Sequence, residues 1–215
     1  MKTRNGNLTV ARKFVLVAIW GLLINCEIAG AQVLIHTFKV KDVKDLRALI
    51  KYFPDETPII HAHRGGAGKG FPENCLATFE NTLRYTPAIM EIDPRLTRDS
   101  VVVLMHDDKL DRTSTGTGKV SDYTWNELKK LRLKDSEGNV TLYRIPLLSE
   151  VFAWCKGKTV LNVDEKDVPY KMIADLIHQY HVEGNVLLTV HNAKEAAQYH
   201  ALDSQFFFRS LCAGS

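Results

Sequence analysis

From Ile59 onward the chain alternates short β-branched apolar runs with amphipathic helical segments, and this alternation restricts its fold more than any other feature. The strand candidates are Ile59 to His63, Ile89 to Leu96, Val101 to His106, Thr159 to Lys166, Val186 to Val190 and Phe206 to Arg209. Between most of them lie helical patterns at Pro72 to Arg84, Tyr123 to Leu131, Leu147 to Lys156, Tyr170 to Tyr180 and Asn192 to Leu202. Strands that follow one another through helices pair in parallel by right-handed crossovers, so the pattern implies an α/β sheet or barrel. Ahead of it, Val40 to Tyr52 places Val43, Leu46, Leu49 and Ile50 at helical spacing before Pro54, a helix expected against the outside or base of the domain.

The first 31 residues read as a signal peptide, with a basic stretch ending at Lys13, the apolar run Phe14 to Ile24, and small residues closing on Ala29-Gly30-Ala31. Cleavage is expected after Ala31, leaving one domain over 32–215 exported to the periplasm or outside the cell, with no stable membrane span once the leader is gone. Cys26 follows Leu23-Ile24-Asn25, which resembles no usual lipidation site. The leader holds four basic residues and one acid, which is the whole formal net charge of +3, so the remainder is balanced. A balanced chain has no basic excess for a nucleic-acid groove. With 45% hydrophobic and 25% charged residues it is neither a disordered tail nor a polytopic membrane protein. Cys75, Cys155 and Cys212, an odd set without CxxC spacing, are expected to be buried or inert thiols.

Function is suggested by where the polar residues fall. The first strand ends His61-Ala62-His63-Arg64-Gly65-Gly66, the second runs Glu91-Ile92-Asp93-Pro94-Arg95, the third ends Met105-His106-Asp107, and the fourth runs Asn162-Val163-Asp164-Glu165-Lys166. Strand side chains alternate, so Glu91 and Asp93 share a face, as do Asn162, Asp164 and Lys166, with Glu165 pointing away. Carboxylates crowded on a buried face repel one another and lose hydration, so they persist around a cation. An oxygen ligand set without cysteine or a His pair at i, i+4 favours a divalent Ca²⁺ or Mg²⁺ over Zn²⁺. His63 and His106 face this cluster from neighbouring strand ends and suit a general acid and base, while Arg64 and Lys166 add fixed positive charge. The set suits an anionic phosphodiester. His61 reads as a structural histidine; His178, His181, His191 and His200 read as ordinary helix, loop or surface residues; and Gly116-Thr117-Gly118 alone reads as a turn. The polar stretch Asp107 to Arg144 after the third strand is where α/β enzymes place specificity.

His63-Arg64-Gly65-Gly66 with Phe71-Pro72-Glu73-Asn74, then Glu91-Ile92-Asp93, then His106-Asp107-Asp108-Lys109-Leu110-Asp111-Arg112-Thr113 with Gly116-Thr117-Gly118, resembles the glycerophosphodiester phosphodiesterase family. The resemblance is strong from Ile59 to Lys166 and looser from Tyr170 to Arg209. It implies a TIM (β/α)8-type barrel and hydrolysis of a small-molecule glycerophosphodiester to sn-glycerol 3-phosphate and an alcohol with a divalent cation. It places the catalytic histidines at His63 and His106, phosphate binding at Arg64 and Lys166, and metal ligation at Glu91, Asp93 and Asp164. Three departures stand out: Cys75 where the family usually has Thr, Asp164 where it has Glu, and about six strands where the barrel needs eight and typically ~250 residues. The expectation is a barrel truncated after about six strands, C-terminally incomplete. Rival readings are a related lipid-headgroup phosphodiesterase, or a non-catalytic phosphate- or glycan-binding fragment of the same fold.

Overall fold

The structure, a computed structural model, describes residues 34–51 and 58–210. The leader with Cys26 and its cleavage point, the Tyr52 to Pro54 end of the first helix, and Cys212 lie outside the described residues.

Helix α1 (Val43–Ile50) precedes β1 (Ile60–Ala62), α2 (Leu76–Leu83), β2 (Ala88–Ile92), β3 (Pro94–Leu96), β4 (Val102–Leu104), α3 (Trp125–Leu128), α4 (Leu148–Cys155), β5 (Leu161–Val163), α5 (Tyr170–Tyr180), β6 (Val186–Val190), α6 (Ala193–Leu202) and β7 (Phe207–Ser210). Strands β1, β2, β5, β6 and β7 pair in parallel in that order, the α/β arrangement that the alternation implies and consistent with part of the barrel that the resemblance implies.

One expectation is corrected. The candidates Ile89 to Leu96 and Val101 to His106 are not two successive barrel strands: the first breaks at Asp93 into β2 and β3, and β4 folds back antiparallel on β3, pairing Leu96 with Val102. The parallel sheet therefore has five strands among the described residues instead of about six. The reason is length, because a parallel crossover needs a dozen or more residues. Here the chain reverses in a tight turn closed by Thr97 N–H to the Val101 carbonyl and Ser100 N–H to the Thr97 carbonyl, with Ser100 at φ 60°.

By alternation Ile89, Glu91 and Asp93 share one face, as do Val160, Asn162 and Asp164, then Leu187, Thr189 and His191, then Phe207 and Arg209. The first residue of each set is apolar, and these four pack with Leu46, Leu49 and Ile50 of α1, so α1 closes the lower end of the sheet's inner face. Gly184 lets the chain pass against α1, since a Cβ there would meet the Asp42 backbone at 2.4 Å. The opposite face is the main core, where Met90, Ile92 and Leu188 meet Phe79, Leu83, Phe152, Ile173 and Ile177 from α2, α4 and α5. Burying each such side chain is worth about 1.5–3 kcal/mol.

The stretch Asp107 to Arg144 has a small core of its own. Leu110, Val120, Leu128 and Leu133 pack with Val103 and Met105 of the hairpin and with Cys75. Helix α3 starts at a capping box in which the Glu127 carboxylate accepts from Thr124 N–H at 2.7 Å. Cys75 and Cys155 are buried free thiols, and burial pushes the Cys155 pKa up to about 12, in line with inert side chains. No helix among the described residues is long and apolar enough to cross a membrane.

Candidate active site

Leaving β1, the chain makes a 3₁₀ turn in which Arg64 (φ 51°), Gly65 (φ 84°) and Gly66 (φ 86°) are all left-handed. Gly65 also has no room for a side chain, because a Cβ would stand 2.2 Å from the Phe79 ring. Thr82 of α2 donates to the Gly65 carbonyl at 2.7 Å, so α2 holds the turn from behind. The turn aims Arg64 N–H at Glu91 Oε2, 2.5 Å away. Asn74, also left-handed at φ 54°, answers from the other side: its Nδ2 donates to Asp93 Oδ2 at 2.7 Å and its Oδ1 accepts from Asp93 N–H at 3.0 Å.

Glu91, Asp93 and Asp164 each turn an oxygen to one point, all within 4.8 Å of one another. Asp93 is fully buried and Glu91 nearly so. Lys166 bridges the set, with Nζ 2.6 Å from Asp164 Oδ2 and 3.0 Å from Asp93 Oδ1. The second contact is out of hydrogen-bonding alignment, so Asp93 Oδ1 is buried with an ion-pair contact but no hydrogen bond. Burial, and then the neighbouring Asp93 and Asp164 charges, push the Glu91 pKa up to about 7. Burial alone would lower Lys166, but the nearby Asp164 and Asp93 carboxylates outweigh that and raise it. Three carboxylates and one ammonium leave a deficit of positive charge in a buried place, and the oxygen-only donor set fits a hard divalent cation. Glu165 stands outside this ligand group, as alternation requires.

His106 lies two residues past β4, half-buried, with Arg95 Nε and Nη2 donating to its carbonyl at 3.0 and 2.7 Å. Its Nδ1 is 2.8 Å from Asp107 Oδ1. An ionised carboxylate only accepts, so Nδ1 carries the hydrogen and Nε2 is left for another partner. Arg112 grips Asp107 from Nε and Nη2 at 2.7 and 2.9 Å and Glu73 from Nη1 and Nη2 at 2.9 and 2.8 Å. Glu73 in turn takes Arg64 Nη1 on both oxygens, at 3.2 and 3.1 Å. A continuous ion-pair chain thus runs from Arg64 through Glu73, Arg112 and Asp107 to His106. Burial would raise Glu73, yet Arg112 and Arg64 hold its pKa below the usual range, and the Arg112 hydrogen bonds do the same for Asp107.

The structure therefore brings Glu91, Asp93, Asp164 and Lys166 together and ties Arg64 to them by its backbone. The Arg64 guanidinium is taken by Glu73, but its Nε is a buried donor without a partner, as befits a group awaiting an anion's oxygen. His63 stands exposed in the turn at the same strand end. His61 is paired with Arg209, whose Nη1 lies 3.0 Å from Nε2, and burial first and then that charge lower its pKa to about 4. Residues given no role by the sequence are Asn74, Glu73, Asp107 and Arg112, although all four lie inside the quoted motifs. His191, read as an ordinary residue, places Nε2 3.2 Å from Asp164 Oδ1.

A model of the glycerophosphoryl diester phosphodiesterase family matches residues 63–215. A glycerophosphodiester phosphodiesterase of Bacillus altitudinis is 33% identical over 155 residues, which is 66% of this chain and 62% of that protein. Human glycerophosphodiester phosphodiesterase 1 is 34% identical over 137 residues, 60% of this chain and 40% of its own length. Among solved structures, a glycerophosphoryl diester phosphodiesterase from Parabacteroides distasonis superposes with a TM-score of 0.80 at 53% identity, covering 82% of this chain and 62% of that one. The chain thus spans less than two thirds of the length of each of these relatives.

Proposed function

This chain belongs to the glycerophosphoryl diester phosphodiesterase family, and from that premise we propose that it hydrolyses glycerophosphodiesters to sn-glycerol 3-phosphate and an alcohol. The observation that carries the reading is the charge deficit at Glu91, Asp93 and Asp164 beside an Arg64 with an unpaired buried donor. Glu91, Asp93 and Asp164 would hold a divalent Ca²⁺ or Mg²⁺, which when bound supplies Lewis-acid polarisation of a phosphoryl oxygen. Arg64 and Lys166 orient the phosphodiester and offset its charge. His63 and His106 divide the proton transfers, one taking the proton of the attacking hydroxyl and the other delivering one to the departing alcohol. His106 is suited to this because Asp107 holds its Nδ1–H, which leaves Nε2 for a partner. The basic, apolar and small-residue pattern of residues 1–31 supports placing the reaction outside the cytoplasm.

The test is sn-glycerol 3-phosphate release from glycerophosphocholine with Ca²⁺, with Mg²⁺ and with EDTA. Release that EDTA abolishes and one metal restores is expected. No release under any condition would contradict the reading.

A further inference from the structure

We propose that His191 is a positioning residue that fixes the Asp164 carboxylate for metal capture; the inference rests on the metal reading above. His191 lies just past the end of β6, on the inward face it shares with Leu187 and Thr189, which is the face carrying the carboxylates. Asp164 is held at its backbone, where its N–H donates to the Ile92 carbonyl at 2.9 Å. Its side chain is held at both oxygens: Lys166 Nζ takes Oδ2 at 2.6 Å and His191 Nε2 donates to Oδ1 at 3.2 Å. A carboxylate that only one donor restrains can turn about its Cβ–Cγ bond, and binding a metal then costs the ordering of that torsion. With the second donor in place the torsion is set beforehand.

His191 is itself anchored more firmly than an ordinary loop residue. Its N–H donates to Glu195 Oε2 at 2.8 Å, while Asn192 Nδ2 donates to Glu195 Oε1 at 2.7 Å. Asn192 is the N-cap of α6, accepting from Glu195 N–H at 3.0 Å. The start of α6 thereby fixes the backbone from which the imidazole reaches Asp164. The ring and the carboxylate line one cavity of about 320 Å³ with Glu165, Lys166, Tyr170, Thr189 and Glu195, so the contact borders open space at Asp164.

The experiment is calorimetric titration of Mn²⁺ into the full chain, comparing wild type with His191→Ala and His191→Gln. Outer hydrogen bonds to metal ligands are worth about 10–100-fold in affinity, and the ring is half exposed, so the lower end applies. His191→Ala is expected to raise the Mn²⁺ Kd about 10-fold, and His191→Gln, whose amide can still donate to Oδ1, to recover most of that. In EDTA all three should melt together, which separates positioning from folding. Glu195→Ala, which loosens His191 without altering its ring, gives an independent variant with a smaller rise in the same direction. An unchanged Kd in His191→Ala, or equal losses in the alanine and glutamine variants, would overturn the assignment. A wild-type chain that binds no Mn²⁺ would overturn the metal reading itself, an outcome distinct from either.

Discussion

Two groups of carboxylates, linked through Arg64, differ in how their charge is met. At the strand ends, Glu91, Asp93 and Asp164 share a single ammonium, one oxygen of Asp93 accepts no hydrogen bond, and Glu91 is pushed up to about 7. On the rim, Glu73 and Asp107 are each gripped by the two-pronged Arg112, Glu73 also by Arg64, and both titrate below the usual carboxylate range. Equal residue types thus have opposite needs. The rim carboxylates are already neutralised and act as struts between Arg64 and His106, whereas the inner ones carry more negative charge than Lys166 offsets. A cluster of acids suggests a metal only where the protein has left them short of donors.

The contrast can be broken most severely at the inner group. Asp93→Asn is expected to weaken divalent-metal binding by more than about 10²-fold, beyond the range of outer-sphere effects, and to remove turnover of glycerophosphocholine with it. In EDTA the same variant should melt close to wild type, since relieved carboxylate repulsion offsets the lost Lys166 contact; calorimetry and a thermal melt read the two arms. His106→Ala is expected to lower kcat by at least about 10²-fold with the metal Kd unchanged, because in the proposed mechanism the imidazole moves protons and holds no metal. Arg112→Lys replaces two bidentate grips by one point charge and should cost about 10-fold in kcat through a looser His106. Its stability cost should stay under about 1 kcal/mol, since the Arg112 side chain is half exposed.

The smallest expected effect is in acid stability, where the two groups have opposite signs. Glu73 and Asp107 have depressed folded pKa values, so their contribution is complete above their ordinary values near 4 and is lost as pH falls through the depressed ones. Glu91 is raised, so in EDTA-treated protein it destabilises as pH rises from its ordinary 4.5 toward about 7. Melting temperatures in EDTA should therefore decline on both sides of roughly pH 4–5. Arg112→Gln should make the acid limb shallower and Glu91→Gln the other, where the part that remains belongs to Glu165, which burial also raises to about 7.

The inner group was legible in the sequence because charged residues inside apolar strands are conspicuous, and alternation alone places Asp164 with Lys166 and sets Glu165 aside. The break at Asp93 was not legible, because Glu91-Ile92-Asp93-Pro94-Arg95 reads as one continuous strand, and only the short Asp99-Ser100 turn hints that β4 folds back. The rim escaped for a different reason. Glu73 and Arg112 are 39 residues apart, and nothing local tells a guanidinium which carboxylate it will meet. His191 was passed over at a strand-to-helix junction, although the alternation that ranked Asp164 also turns His191 inward.

The most direct measurement is anomalous diffraction from a crystal soaked in Mn²⁺. Expected is one ion bonded to oxygens of Glu91, Asp93 and Asp164, at the ~2.0–2.6 Å typical of hard divalent cations, with none at Glu73 or Asp107. An ion on the rim carboxylates instead, or an inner cluster that takes up no metal, would contradict the claim that the inner acids are the ones left short of charge.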